Sequence, residues 1–228
     1  MRVHNVSEAE PLNSGGKKPN GRFSLLGESL FSLSFDVGGL VAGGLLGYYA
    51  GLILFRSWII TIYPIVLTAR GALNGVLAGR LSTGLHVELI KPSLKGNTRY
   101  YYAIISSLLA LSIFISLVMS GMTALLTGSP LGELPLIISV CISAQAITML
   151  LTVPATSTVG FLAFKKGLDP DAMLYPISST IADIWSTIAY IITLSATFTL
   201  PFGTQLAYLI AFTTITVAGA LAFFFRKE

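Results

Sequence analysis

The feature that most constrains this chain is the recurrence of apolar stretches as long as a bilayer is thick. A transmembrane helix needs about 20 mostly apolar residues to cross the hydrocarbon core. Six stretches reach that length, at residues 30–55, 58–85, 100–126, 134–164, 174–200 and 205–225. Only 11% of the residues are charged, whereas a soluble domain carries about 25%. The sequence therefore predicts an all-α fold, a polytopic transmembrane helical bundle of about six spans in lipid.

Basic residues predict how the bundle is oriented. Residues 1–27 are polar and are expected to form a disordered cytoplasmic tail before a transmembrane domain at 28–228. Eleven of the 14 Lys and Arg residues lie in the two termini and in the second and fourth loops, and only Arg56 lies in an opposite loop. Because cytoplasmic loops are enriched in Lys and Arg, both termini of this multi-pass protein are predicted to be cytoplasmic, in the cell membrane. The same pattern explains the net charge of +4 without a nucleic-acid partner.

Two rows of glycines, spaced by four residues, mark helix faces that allow close backbone approach. They are Gly39, Gly43, Gly47 and Gly51 in the first span, and Gly71, Gly75 and Gly79 in the second. We expect them to pack the first span against the second within one subunit. The chain has no evident internal repeat, although many transporters contain two related halves. A short single unit of this kind predicts a homodimer.

Asp183 is the leading candidate for an ion site. A charged residue inside the hydrocarbon is costly and usually functional. It lies about nine residues into the fifth predicted span, roughly 14 Å from its start. Hydroxyl-bearing residues three, four or seven positions away, Ser179 and Thr180 among them, share its helix face. Carboxylate and hydroxyl oxygens suit a hard divalent cation. The alternative is a carboxyl group neutralised by a proton or by a neighbouring arginine.

Two further polar residues, Asp36 in the first span and Asn74 in the second, lie at a similar predicted depth. The candidate cation ligands are therefore Asp183, Ser179, Thr180, Asp36 and Asn74. Asp36 could instead pair with Arg70 or Arg80, and Asn74 could form an interhelical hydrogen bond. Arg70 is too deep to reach either membrane surface, so we expect it to pair with Asp36 or to face an outer vestibule.

The fourth predicted span carries a second row of polar residues on one face, where helix–helix hydrogen bonding is the favoured interpretation. The row consists of Gln145, Thr148, Thr152 and Thr156. No nucleophile–base pair, zinc signature or phosphate-binding loop is visible, so we do not expect an enzyme or a bound cofactor.

Two segments of the chain resemble motifs of one membrane-protein family. Residues 71–86, GALNGVLAGRLSTGLH, resemble the second-span motif of the MgtE family of magnesium transporters, most closely at the RLST of residues 80–83. Residues 167–190 resemble the last pore-helix motif of that family. There an Asp-Pro pair leads to a further Pro, and the ion-binding carboxylate follows seven residues later. The corresponding residues here are Pro176 and Asp183.

The resemblance covers residues from about 25 to 200 and implies a fold and a function. It implies a homodimer of five-helix membrane domains with the ion pathway at or near the subunit interface, and Mg²⁺ or another divalent cation as the transported ion. The sixth span is then one extra helix, similar to the connecting helix of eukaryotic members. One departure is Ala72, where the family has the Asn of a Gly-Asn pair.

Three functional hypotheses remain open from the sequence. The leading one is a divalent-cation transporter or channel. The second is a secondary transporter coupled to H⁺ or Na⁺, with Asp36 and Asp183 as coupling carboxylates. The third is a non-transporting membrane subunit of a larger assembly.

Overall fold

The structure is a computed structural model that describes residues 21–167 and 170–199 and the single positions 201, 207, 211 and 214. Every regular element within these residues is helical, which confirms the predicted all-α class. The elements are α1 (Gly21–Tyr48), α2 (Ala50–Ile53), α3 (Ser57–His86), α4 (Arg99–Thr127), a 3-10 turn (Leu131–Glu133), α5 (Leu134–Lys165) and α6 (Pro170–Thr199).

Four helices within the described residues are long and apolar enough to cross a membrane, and they match the second to fifth predicted spans. They are Ser57–His86, Arg99–Thr127, Leu131–Lys165 and Ile177–Thr199. The first predicted span, 30–55, is divided, because its apolar helix ends at Tyr48 and a turn precedes α2. The sixth, 205–225, lies outside the described residues apart from positions 207, 211 and 214. The protein is a multi-pass helical membrane protein.

Local sequence signals explain where the helices begin and end. The Thr98 side chain accepts a hydrogen bond from the backbone N–H of Tyr101, which caps the start of α4. Gly128 ends α4 at a φ of 60°, a left-handed conformation that glycine adopts without strain. Pro154 lies inside α5, and α5 runs without interruption past it. Helix α1 begins at Gly21, inside the segment predicted to be a tail.

The chain divides into two compact units between Ser34 and Phe35, within α1. In the larger unit α5 is the central helix and packs against α3, α4 and α6. Its buried side chains contribute to two apolar clusters. The first apolar cluster is built around Leu73, Leu77, Leu81, Tyr101, Val153, Phe161 and Leu174. The second apolar cluster is built around Trp58, Ile62, Val66, Ile137, Cys141, Tyr190 and Leu194.

The two glycine rows do not pack as the sequence predicts. A Cβ atom placed on any of Gly39, Gly43, Gly47, Gly51, Gly71, Gly75 and Gly79 would meet no atom of another described residue within 4 Å. Both rows therefore face open space in a single chain, and the expected close packing of the first span against the second is wrong for these positions. Gly38, one residue before the first row, does permit close approach, and so do Gly84 and Gly160.

Candidate cation site

Asp183 lies in the middle of α6. The helix begins at Pro170 rather than at the predicted residue 174, so Asp183 is about 20 Å from its start at 1.5 Å per residue. Asp183 is therefore farther from the helix start than predicted, while the part of this helix that is apolar enough to cross a membrane begins at Ile177. Along the sequence of α6 it lies between Leu174 of the first apolar cluster and Tyr190 of the second. A carboxylate at this depth needs a compensating charge, a proton or an ion.

The compensating charge for Asp183 comes from Arg70 of α3. The Arg70 Nη2 donates a hydrogen bond to Oδ1 of Asp183 and forms an ion pair with it. The expected pairing of Arg70 with Asp36, or its exposure to a vestibule, is thus replaced by a pair with Asp183. The side chain of Arg70 is only 6% exposed, whereas that of Asp183 is 28% exposed. Arg70 therefore approaches the carboxylate from inside the bundle, and Asp183 keeps a face toward the outside.

A tyrosine and a threonine connect α3 and α6 one turn beyond the ion pair. The hydroxyls of Tyr63 and Thr187 lie 2.8 Å apart and share a hydrogen bond. Thr187 is also 2.8 Å from the backbone carbonyl oxygen of Asp183, to which it donates. One residue of the polar stripe predicted on α6, Thr187, therefore holds this helix against α3, one turn from Asp183.

Asn74 ties three helices together. Its Nδ2 donates to the hydroxyl of Ser178 on α6 at 3.1 Å, and its Oδ1 accepts from the hydroxyl of Thr156 on α5 at 3.0 Å. This is the interhelical hydrogen bonding that the sequence left open as the alternative to ion binding. The structure therefore gives Asn74 a bracing role, and its role as a ligand stays a prediction.

Ser179 and Thr180 lie one turn before Asp183 on α6, and both are partly exposed. Gly38 of α1 lies against this turn, and a Cβ added to it would lie 2.1 Å from Cγ2 of Thr180. Only glycine permits that approach, and the sequence analysis did not single out this residue. Asp36 lies in α1 two residues earlier, and its side chain is outside the described part of the structure.

The polar row of the fourth predicted span faces the interior, because α5 is surrounded by other helices. Thr148 and Thr152 donate to carbonyl oxygens of their own helix, and Thr156 alone of the row bonds a neighbouring helix, through Asn74. Both amide atoms of Gln145 are buried without a partner among the described residues. Helix–helix hydrogen bonding is therefore confirmed for one member of this row.

Asp183 belongs to no cluster of metal-binding side chains in the part of the chain that the structure describes. Within the described ranges, no group of three or more His, Cys, Asp or Glu residues could hold a metal ion. One carboxylate with neighbouring hydroxyls suits a hydrated Mg²⁺, which is bound through one or two carboxylates and retains several waters. It does not provide the closed ligand shell of a structural metal site.

Comparison with known proteins gives one match. The family model MgtE, described as a divalent cation transporter, matches residues 63–193. This range covers more than half of the chain and includes Arg70, Asn74 and Asp183. No curated protein and no solved structure matches the chain.

Proposed function

The chain belongs to the MgtE family of divalent cation transporters, and we propose that it transports Mg²⁺ across a membrane through a site centred on Asp183. Membership of a transporter family, rather than of an enzyme class, together with four long apolar helices, supports transport through the bilayer. The observation that carries the site is the position of Asp183 in the middle of α6, with 28% of its side chain exposed. Ser179 and Thr180 supply further oxygens from the same helix face, and Asp36 and Asn74 complete the proposed ligand set.

The protein works as a homodimer in this proposal. The glycine rows, one in α1 and α2 and the other in α3, contact no other described residue of a single chain, which leaves them available to another copy. A second Asp183 near the symmetry axis would offer a divalent cation two carboxylates, each paired with its own Arg70 when the site is empty. Mass measurement in detergent, corrected for bound detergent, should give two chains. A monomer that still transports ions would contradict the dimer.

Cytoplasmic placement of both termini follows from the distribution of Lys and Arg. Reporter fusions at the two ends should both report from the cytoplasm. A signal from the outside at either end would contradict the even number of spans.

The transport proposal is tested by divalent flux in liposomes that contain only this protein. The wild type should carry Mg²⁺ down its gradient, and Asp183→Asn should reduce flux to the level of empty liposomes. Glu133→Gln, a matched removal of a carboxylate outside the site, should retain wild-type flux. Absence of flux in the wild type, or normal flux in Asp183→Asn, would contradict the proposal. Flux that requires an imposed H⁺ or Na⁺ gradient would favour the coupled transporter instead.

A further inference from the structure

Arg70 is bound to the carboxylate of Asp183, which is the proposed ligand of the transported cation. Its Nη2 donates to Asp183, while its Nε and Nη1 are buried with no hydrogen-bond partner among the described residues. Unsatisfied buried donors carry a desolvation cost, so this guanidinium is held chiefly through one of its three nitrogens. It cannot leave by losing a proton, because arginine stays protonated in proteins.

The net charge of the Arg70–Asp183 pair determines whether a cation can bind beside it. Arg70 and Asp183 together are neutral. A divalent cation added beside them would leave two uncompensated positive charges next to the guanidinium, in a region where water screens them poorly. A cation that takes the place of Arg70 on the carboxylate meets an opposite charge instead. The cation and Arg70 therefore compete for the same oxygens.

We propose that Arg70 is a tethered competitor of the transported cation. It occupies Asp183 when no divalent ion is bound, and it must withdraw from the carboxylate before an ion binds there. This inference rests on the proposed function, and it adds that Arg70 sets the affinity of the site. A weaker site releases its ion more readily, as conduction requires.

The exposures of the two side chains fit this competition. Asp183 keeps 28% of its side chain exposed, and no described residue hydrogen-bonds its Oδ2. An ion can therefore reach the carboxylate from the open side, while the guanidinium, 6% exposed, holds it from the interior. A purely structural pair would not need the unsatisfied donors of Arg70.

The test is Mg²⁺ binding to the purified full chain in detergent, measured by titration calorimetry. Arg70→Gln should bind Mg²⁺ at least about tenfold more tightly than the wild type, because a positive charge beside the ion is gone. Asp183→Asn added to Arg70→Gln should remove the gain. Arg56→Gln breaks the other arginine–carboxylate pair and serves as the matched control, with unchanged affinity. An Arg70→Gln affinity equal to or weaker than that of the wild type overturns the inference.

Arg70→Gln leaves a carboxylate without its partner, so its folding is a second readout. If the variant unfolds after chelation of divalent ions, Mg²⁺ should restore it, because the ion takes the place of the guanidinium. Unfolding that Mg²⁺ does not reverse overturns the inference. A wild type with neither Mg²⁺ binding nor flux overturns the proposed function along with it. Normal wild-type flux that needs Asp183, with no gain in Arg70→Gln, overturns the competitor role alone.

Discussion

Two arginine–carboxylate pairs join distant parts of this chain, and they differ in where the arginine lies. Arg56 pairs with Glu133 at the ends of helices, between the residue before α3 and the residue before α5. Arg70 pairs with Asp183 between the middle of α3 and the middle of α6. The carboxylates are similarly exposed, at 25% and 28%, but the arginines are 37% and 6% exposed.

This difference in exposure predicts that the two pairs respond differently when one partner is removed. A solvent-exposed pair contributes about 0–1 kcal/mol to stability, because water solvates both charges nearly as well when they are apart. A buried pair adds little net stability itself, but removal of one partner leaves an uncompensated charge and costs about 3–5 kcal/mol. Removal of Asp183 should therefore cost far more stability than removal of Glu133, because it leaves the charge of a buried Arg70 without compensation.

The largest effect is expected from Asp183→Asn, which leaves Arg70 buried and uncompensated. We expect the free energy of unfolding in detergent to fall by about 3–5 kcal/mol. The double variant Arg70→Gln/Asp183→Asn removes both charges and should recover most of this loss. The measurement is denaturant unfolding of both proteins without divalent ions. Equal stabilities for the single and the double variant would show that Arg70 reaches water and that the two pairs are alike.

Asn74→Ala should have an intermediate effect, since it removes a brace one turn from Arg70. The variant leaves the hydroxyls of Thr156 and Ser178 without their partner, and we expect a loss of about 1–3 kcal/mol in the free energy of unfolding. Thr158→Ala serves as the control, because Thr158 bonds only its own helix, at the carbonyl of Pro154. An unchanged stability would contradict the bracing role. A weaker Mg²⁺ affinity in the folded variant would support Asn74 as a ligand as well.

The buried pair also shows what the sequence could and could not predict. The charge of Asp183 inside an apolar stretch singled it out, and apolar length located α3 to α6, because both signals are local. The sequence allowed a neighbouring arginine as the partner of Asp183, but it could not say which one, since Arg70 is 113 residues away and hydrophobic pattern does not fix the register between two helices. The distance of Asp183 from the helix start was underestimated, because α6 begins at Pro170 and not at the predicted residue 174. Gly38 was missed because glycine spacing alone does not say which row faces a neighbouring helix.

The smallest effect is expected at the exposed pair. Arg56→Gln and Glu133→Gln should each change the free energy of unfolding by less than about 1 kcal/mol, and the coupling between them in a double-mutant cycle should be about 0–1 kcal/mol. The reason is that water can solvate the remaining charge when either partner is removed. The same cycle built on Arg70 and Asp183 should give a coupling several times larger.

Salt supplies an independent check on this last prediction. Because exposed charges are screened within about 10 Å at 0.1 M ionic strength, the coupling at Arg56 and Glu133 should fall further as the salt concentration rises. The coupling at Arg70 and Asp183 should change less, since little solvent reaches the guanidinium. A coupling at the exposed pair as large and as insensitive to salt as that at the buried pair would mean that exposure of the arginine does not distinguish them. Arg70 would then need another explanation for its place on the carboxylate of Asp183.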